Sequence, residues 1–218
     1  MNHFLISKDS ILNNLPSKEI ESRHLTYFDA IIHTIEMVEI IYGRLVDLLA
    51  RHKQPNNEKD SRFLEHAMID TWGIVDCFYR LRQVLSSSSG IKKNTPWFQK
   101  FFRQLSVVED VRHFLQHYNE KIPLMEKTNS PIVGHVCWLN VKSSKIVEVI
   151  LIQPGRIKTG SLPCINPTDK PISSKIDHVT FFLGDLRVDL SDLVNGLKEF
   201  VRALETFLNE RYGEKTGS

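Results

Sequence analysis

Residues 107–122 read VVEDVRHFLQHYNEKI, and this stretch decides how the rest of the chain is understood. At about 100° per residue on a helix, Val108, Val111, Leu115 and Ile122 line one side, with Phe114 and Tyr118 beside them. That side reads as core. Glu109, Asp110, His113, Gln116, His117 and Glu120 gather on the other. Glu109, His113 and His117 follow one another at four-residue spacing, close enough for their side chains to touch. Arg112 sits at the edge of the apolar stripe, where its stem packs while the guanidinium stays wet. Arg112 and His117 are about 140° apart around a continuous helix. They meet at one target only across a helix end or with help from a second surface.

Moving outward, the preceding segments are helical. Residues 25–52 carry Phe28, Ile31, Ile35, Val38, Ile41, Tyr42, Leu45, Leu48 and Leu49 at three- and four-residue spacing, a long amphipathic helix. Gln54-Pro55-Asn56-Asn57 ends it. A second helix over 60–85 has the stripe Phe63, Ala67, Asp70, Ile74, Cys77, Phe78, Leu81 and Leu85. Asp70 interrupts this stripe and needs a partner, because a buried carboxylate alone is costly. Asp76 and Arg80, four apart, are spaced for an intrahelical ion pair. Arg80 and Arg82 are also candidate phosphate contacts. Thr95-Pro96 caps a third helical region, in which Trp97, Phe98, Phe101, Phe102 and Leu105 read as core aromatics and lead into the motif. Residues 1–23 show no clear period and suggest a short helix or arm around Pro16.

Beyond Pro123 the pattern changes. Residues 124–131 read as a polar connection, and 133–142 and 145–153 as two strands joined at Ser143-Ser144. The proline-rich stretch 154–174 reads as a long loop. Residues 178–183 and 186–190 flank Gly184-Asp185, a tight-turn pair. Leu193, Leu197, Phe200, Val201, Leu204 and Leu208 build a closing helix capped near Asp189 or Ser191. The expected fold is α+β: an antiparallel helical bundle over 25–122, a small antiparallel sheet with a long loop over 132–190, and a closing helix over 191–212. A sheet this small needs the bundle to pack on, so 1–218 is expected to form one domain.

Composition narrows the function classes. With 28 basic and 26 acidic residues the net charge is +2, so any nucleic-acid contact must come from a local patch. Cys77, Cys137 and Cys164 are odd in number and lack CxxC spacing, which suits unpaired thiols in a reducing compartment. No leader-like or membrane-length apolar run is present, and a cytoplasmic protein without membrane contact is expected. No phosphate-cradling glycine loop, dinucleotide fingerprint or nucleophile elbow occurs.

Arg112 followed by the polar His113 and, five positions after the arginine, by His117, set late on a third helix, resembles the signature of the HEPN (higher eukaryotes and prokaryotes nucleotide-binding) superfamily. The resemblance covers residues 25–122. It implies a helical, dimeric protein and, in many members, a metal-independent endoribonuclease of toxin or defence type. Arg112 would then be the phosphate clamp, His117 the acid or base, and His113 a positioning or second proton-transfer group. Arg80, Arg82, Gln116, Tyr118 and Asn119 would contact substrate. A homodimer, RNA or nucleotide, and an antitoxin-like protein are the partners implied, with no cofactor. Some toxin members place a tyrosine two residues after the histidine; here Asn119 holds that position. Three other readings compete: a solvated helical face, a noncatalytic HEPN-like module that binds nucleotide, RNA or protein, and a zinc site. The last would use His113-x3-His117 with His135 or Cys137.

Overall fold

The computed structural model describes residues 5–52, 62–127, 131–143, 146–154 and 178–213. Among these residues, six α-helices and a four-stranded sheet give an α+β fold, in the order α1 (Ser22–His52), α2 (Phe63–Ser87), α3 (Pro96–Gln104), α4 (Ser106–Gln116), α5 (Tyr118–Lys127), β1 (His135–Ser143), β2 (Ile146–Ile152), β3 (His178–Leu183), β4 (Leu186–Asp189) and α6 (Leu190–Tyr212). The stretch 155–177, within which the long loop was expected, and Cys164 with it, lie outside the described residues, as do 53–61 and 214–218.

Helices α1 and α2 form the main helical pair, and the expected stripe positions Phe28, Ile31, Ile35, Ile74, Phe78 and Leu81 are all buried. Asp70 finds its partner across that pair. Arg44 Nε donates to both carboxylate oxygens at 2.9 Å, and Nη2 reaches Oδ1 as well. The carboxylate side chain is 3% exposed and the arginine 58%. A charge inside the stripe is thus matched by one that stays in water. Phe98 and Phe101 of α3 pack on Phe200 of α6, with Trp97 on the same ring. These aromatics are core, as their spacing suggested. Among the described residues, the N-terminal arm carries a 3-10 turn, Ile11–Asn14. Its Ser10 hydroxyl caps Leu12 and donates to Glu205 of α6.

The sheet order is β2-β1-β3-β4, with every neighbour antiparallel. Val136, Trp138, Ile152, Val179, Phe181 and Val188 join the same hydrophobic core as the helices. The sheet therefore packs on the bundle, as its small size required. Gly184, at φ 58, supplies the left-handed residue of the two-residue turn between β3 and β4. Asp189 caps α6, accepting from the Asp192 N–H. No helix among the described residues is long and apolar enough to cross a membrane.

Two expectations need correction. The third helical region is not continuous: it breaks at Leu105 and again at His117, giving α3, α4 and α5. Neither break carries proline or glycine, so packing bends the chain rather than local propensity. The helix also does not stop at Pro123, because α5 runs through it to Lys127. The ring removes one helical hydrogen bond, while the next turn buries Met125 to 1% exposure against the core, which offsets that loss.

Candidate functional site

Because α4 ends at His117, the motif is wrapped around a corner. His117 leaves helical geometry (φ −102, ψ 29), and its N–H donates to the His113 carbonyl at 3.1 Å. Its own carbonyl accepts from Glu120 and Lys121 at 3.0 and 3.2 Å, which starts α5. The imidazoles of His113 and His117 meet at this corner, with ring centroids 4.5 Å apart and planes tilted by 49°. Glu120 Oε1 lies 3.5 Å from His117 Nδ1. Both rings reach solvent: His113 is exposed and His117 is half-buried.

A cleft of about 310 Å³ opens beside His113, between α4, α5 and the β3–β4 turn. Phe114, Leu124, Met125 and Leu186 provide its apolar surface. Asp110, His113, Lys121 and Asp185 provide its polar one. Lys121 Nζ stands 6.0 Å from the Phe114 ring centroid. The bare backbone of Gly184 closes one side; a Cβ there would lie 3.5 Å from Phe114 Cε2.

Arg112 is turned the other way. Its Nε is 3.7 Å from Asp76 Oδ1 on α2, is buried and makes no hydrogen bond. Its guanidinium carbon stands 6.0 Å from the Tyr79 ring centroid. Asp76 also accepts from Arg80 Nε at 2.6 Å, the intrahelical pair expected from their spacing. Two guanidiniums therefore share one carboxylate on the α2–α4 surface, leaving a local excess of positive charge with Arg80 well exposed. Asp76 also keeps the Arg80 guanidinium firmly protonated.

Arg82 lies apart from this pair, locked between elements. Nη1 donates to the Phe102 carbonyl at 2.6 Å, the guanidinium covers the Phe102 ring at 4.2 Å, and Nε is 2.7 Å from Glu109 Oε1. It holds α2 against α3 and α4, with its donors turned inward. Gln116 and Asn119 are exposed at the corner, while Tyr118 is half-buried, and that burial pushes its phenol pKa up.

The structure thus unites His113 with His117, and Arg80 with Arg112, but on adjoining faces of α4 rather than in one groove. Sequence reasoning did not find the cleft. Leu124 and Met125 read from the sequence as part of a polar connection, and Gly184, Asp185 and Leu186 come from a turn and the strand after it, some seventy residues away, with only the Gly-Asp pair to mark them. The zinc alternative lacks a ligand set: among the described residues no three His, Cys, Asp or Glu side chains cluster to hold a metal. His135 is instead buried in the sheet, its ring stacked on Phe182 at 4.8 Å, and burial lowers its pKa. Compared with known proteins, the chain matches no family model, no curated protein and no solved structure.

Proposed function

We propose that the chain is an HEPN-like protein that binds single-stranded RNA at the end of α4 and cleaves it there without a metal ion. The observation that carries this reading is the His113–His117 pair, 4.5 Å apart at an exposed corner and flanked by the Arg80–Arg112 surface. Metal-free cleavage requires two proton transfers. One imidazole takes the proton from a 2′-hydroxyl as its oxygen bonds to the adjacent phosphorus. The 5′-oxygen then leaves with a proton from the other imidazole, giving a 2′,3′-cyclic phosphate and a 5′-hydroxyl end. Imidazoles exchange protons near neutral pH, which suits both roles. Arg80 and Arg112 would hold phosphates next to the reacting one, as paired guanidinium donors do. Dimerisation belongs to this proposal, since a second α4 could bring a second Arg112 to the imidazoles. Met37 and Ile40, large apolar side chains exposed on α1, offer material for a protein contact.

A second reading, RNA or nucleotide binding without cleavage, is favoured by one specific observation. Arg112 is drawn to Asp76 and Tyr79, away from the imidazoles that would need its charge. One experiment separates the two. Fluorescently end-labelled RNA is incubated with the protein in EDTA, and both binding and product ends are followed. Cleavage predicts cyclic-phosphate products that disappear in folded His113→Ala and His117→Ala. The binding reading predicts intact RNA whose affinity falls in Arg80→Ala and Arg112→Ala. Absence of both binding and cleavage in the wild type would overturn the proposal.

A further inference from the structure

We infer that the α4–α5 cleft is a base-recognition pocket that takes one unstacked guanine of the bound strand. The inference rests on the RNA reading above and extends it to a specificity. The first reason is size and lining. At about 310 Å³ the cleft lies at the small end of ligand pockets, and its apolar surface with a few convergent polar groups is what such pockets use. An aromatic ring, Phe114, lies among the apolar residues, and single-stranded RNA is read by bases splayed out against such rings.

The second reason is the charge arrangement. Asp110 and Asp185 stand on the cleft from two different elements. Among the described residues neither carboxylate has an ion-pair or hydrogen-bond partner. Ionised carboxylates only accept hydrogen bonds, so a ring placed between them must present donors. Guanine's Watson–Crick edge offers N1–H and one N2–H side by side to the two oxygens of one carboxylate. Its second N2–H is left for the other carboxylate, and its O6 acceptor lies at the far end of the edge. Adenine and cytosine each pair a donor with an acceptor on that edge. Uracil sets one donor between two carbonyl oxygens, which the carboxylates would repel. The basic side of the cleft, Lys121 and His113, is left for the nucleotide's phosphate, adjoining the imidazole pair. A base held there would place its own backbone at His113 and His117, so the cleft would select where the strand is cut or held.

The test uses two short 2′-O-methyl oligomers, which carry no 2′-hydroxyl to attack: U6 and the same oligomer with one central guanosine, titrated into the full chain with anisotropy as readout. The guanosine-bearing oligomer is expected to bind at least ~10-fold tighter, the scale that one bidentate base contact supplies. That ratio should collapse toward one in Asp110→Ala/Asp185→Ala. It should also collapse in Leu124→Trp, which fills the cleft from an exposed position; circular dichroism checks the fold of each variant. Equal binding of the two oligomers, or a preference that survives both variants, would overturn the pocket while leaving RNA binding standing. If neither oligomer binds, the RNA reading fails, and guanosine 5′-monophosphate then decides the pocket alone. Saturable binding that Asp110→Ala/Asp185→Ala abolishes keeps it as a nucleotide site, and no binding removes it.

Discussion

The Arg44–Asp70 pair makes an asymmetric prediction about stability. The two partners are joined by several hydrogen bonds, yet the Asp70 side chain is 3% exposed and Arg44 is 58% exposed. Removing either one should therefore have very different effects. Arg44→Met leaves a desolvated carboxylate without its counter-charge, a lesion costing about 3–5 kcal/mol. Asp70→Asn keeps the shape and an acceptor, and the exposed guanidinium returns to water; the loss is about 1–2 kcal/mol, the scale of a hydrogen bond to a charged group. For a chain of this length each kcal/mol moves the melting temperature by about 2–4 °C. Arg44→Met should then melt about 6–20 °C lower, and Asp70→Asn about 2–8 °C lower. The double variant Arg44→Met/Asp70→Asn should be more stable than Arg44→Met alone, because no buried charge remains. Thermal melts at neutral pH, with urea midpoints as a second measure, read all four proteins. An Arg44→Met no worse than Asp70→Asn, or a double variant below Arg44→Met, would refute the view that a desolvated Asp70 charge governs this site.

Other outcomes follow from the sheet and the glycines. Burial holds His135 below the ordinary histidine value, so the unfolded chain takes up this proton at about pH 6.5 and the folded chain only at lower pH. The stability that the neutral ring allows is intact above about pH 6.5 and is lost as pH falls from there toward the lowered folded value. His135→Gln should flatten the decline in urea midpoint between neutral and mildly acidic pH, and an unchanged slope would exclude His135 as a cause. Gly134 has φ 80, and a Cβ there would stand 2.5 Å from both Phe181 Cε2 and the Phe182 carbonyl oxygen. Gly134→Ala should therefore cost about 1–2 kcal/mol in backbone strain and about 1–3 kcal/mol in overpacking. Gly43 lies inside α1 with nothing within 4 Å of its Cβ position, so Gly43→Ala should stabilise by about 0.5–1 kcal/mol. Melts that rank these two the other way round would contradict the packing described.

What could be read from the sequence followed periodicity. Helices α1 and α2, strand β3 and the Gly184 turn were legible because apolar spacing and turn chemistry are local signals. Asp70 was legible as a residue needing a partner, but not Arg44 as that partner, which depends on how two helices face each other. The corner at His117 was not legible, since Val108, Val111, Leu115 and Ile122 keep a helical period straight through it. Pro123 misled in the opposite direction, because Met125 finds a buried seat that outweighs the missing bond. The functional residues divide in the same way. Arg112, His113 and His117 stand out by type and spacing, whereas Asp76, which holds Arg112, and Asp185, which reaches the cleft from a distant turn, join the site only through tertiary packing.

Photo-crosslinking tests the central claim, that the end of α4 is where RNA is held, most directly. Single-stranded RNA carrying 4-thiouridine is irradiated with the full chain, and the linked peptides are mapped by mass spectrometry. The account predicts adducts concentrated at His113, Phe114, His117 and the 184–186 turn, all competed away by unlabelled RNA. Adducts confined to other surfaces, or none under conditions where RNA binds, would contradict it.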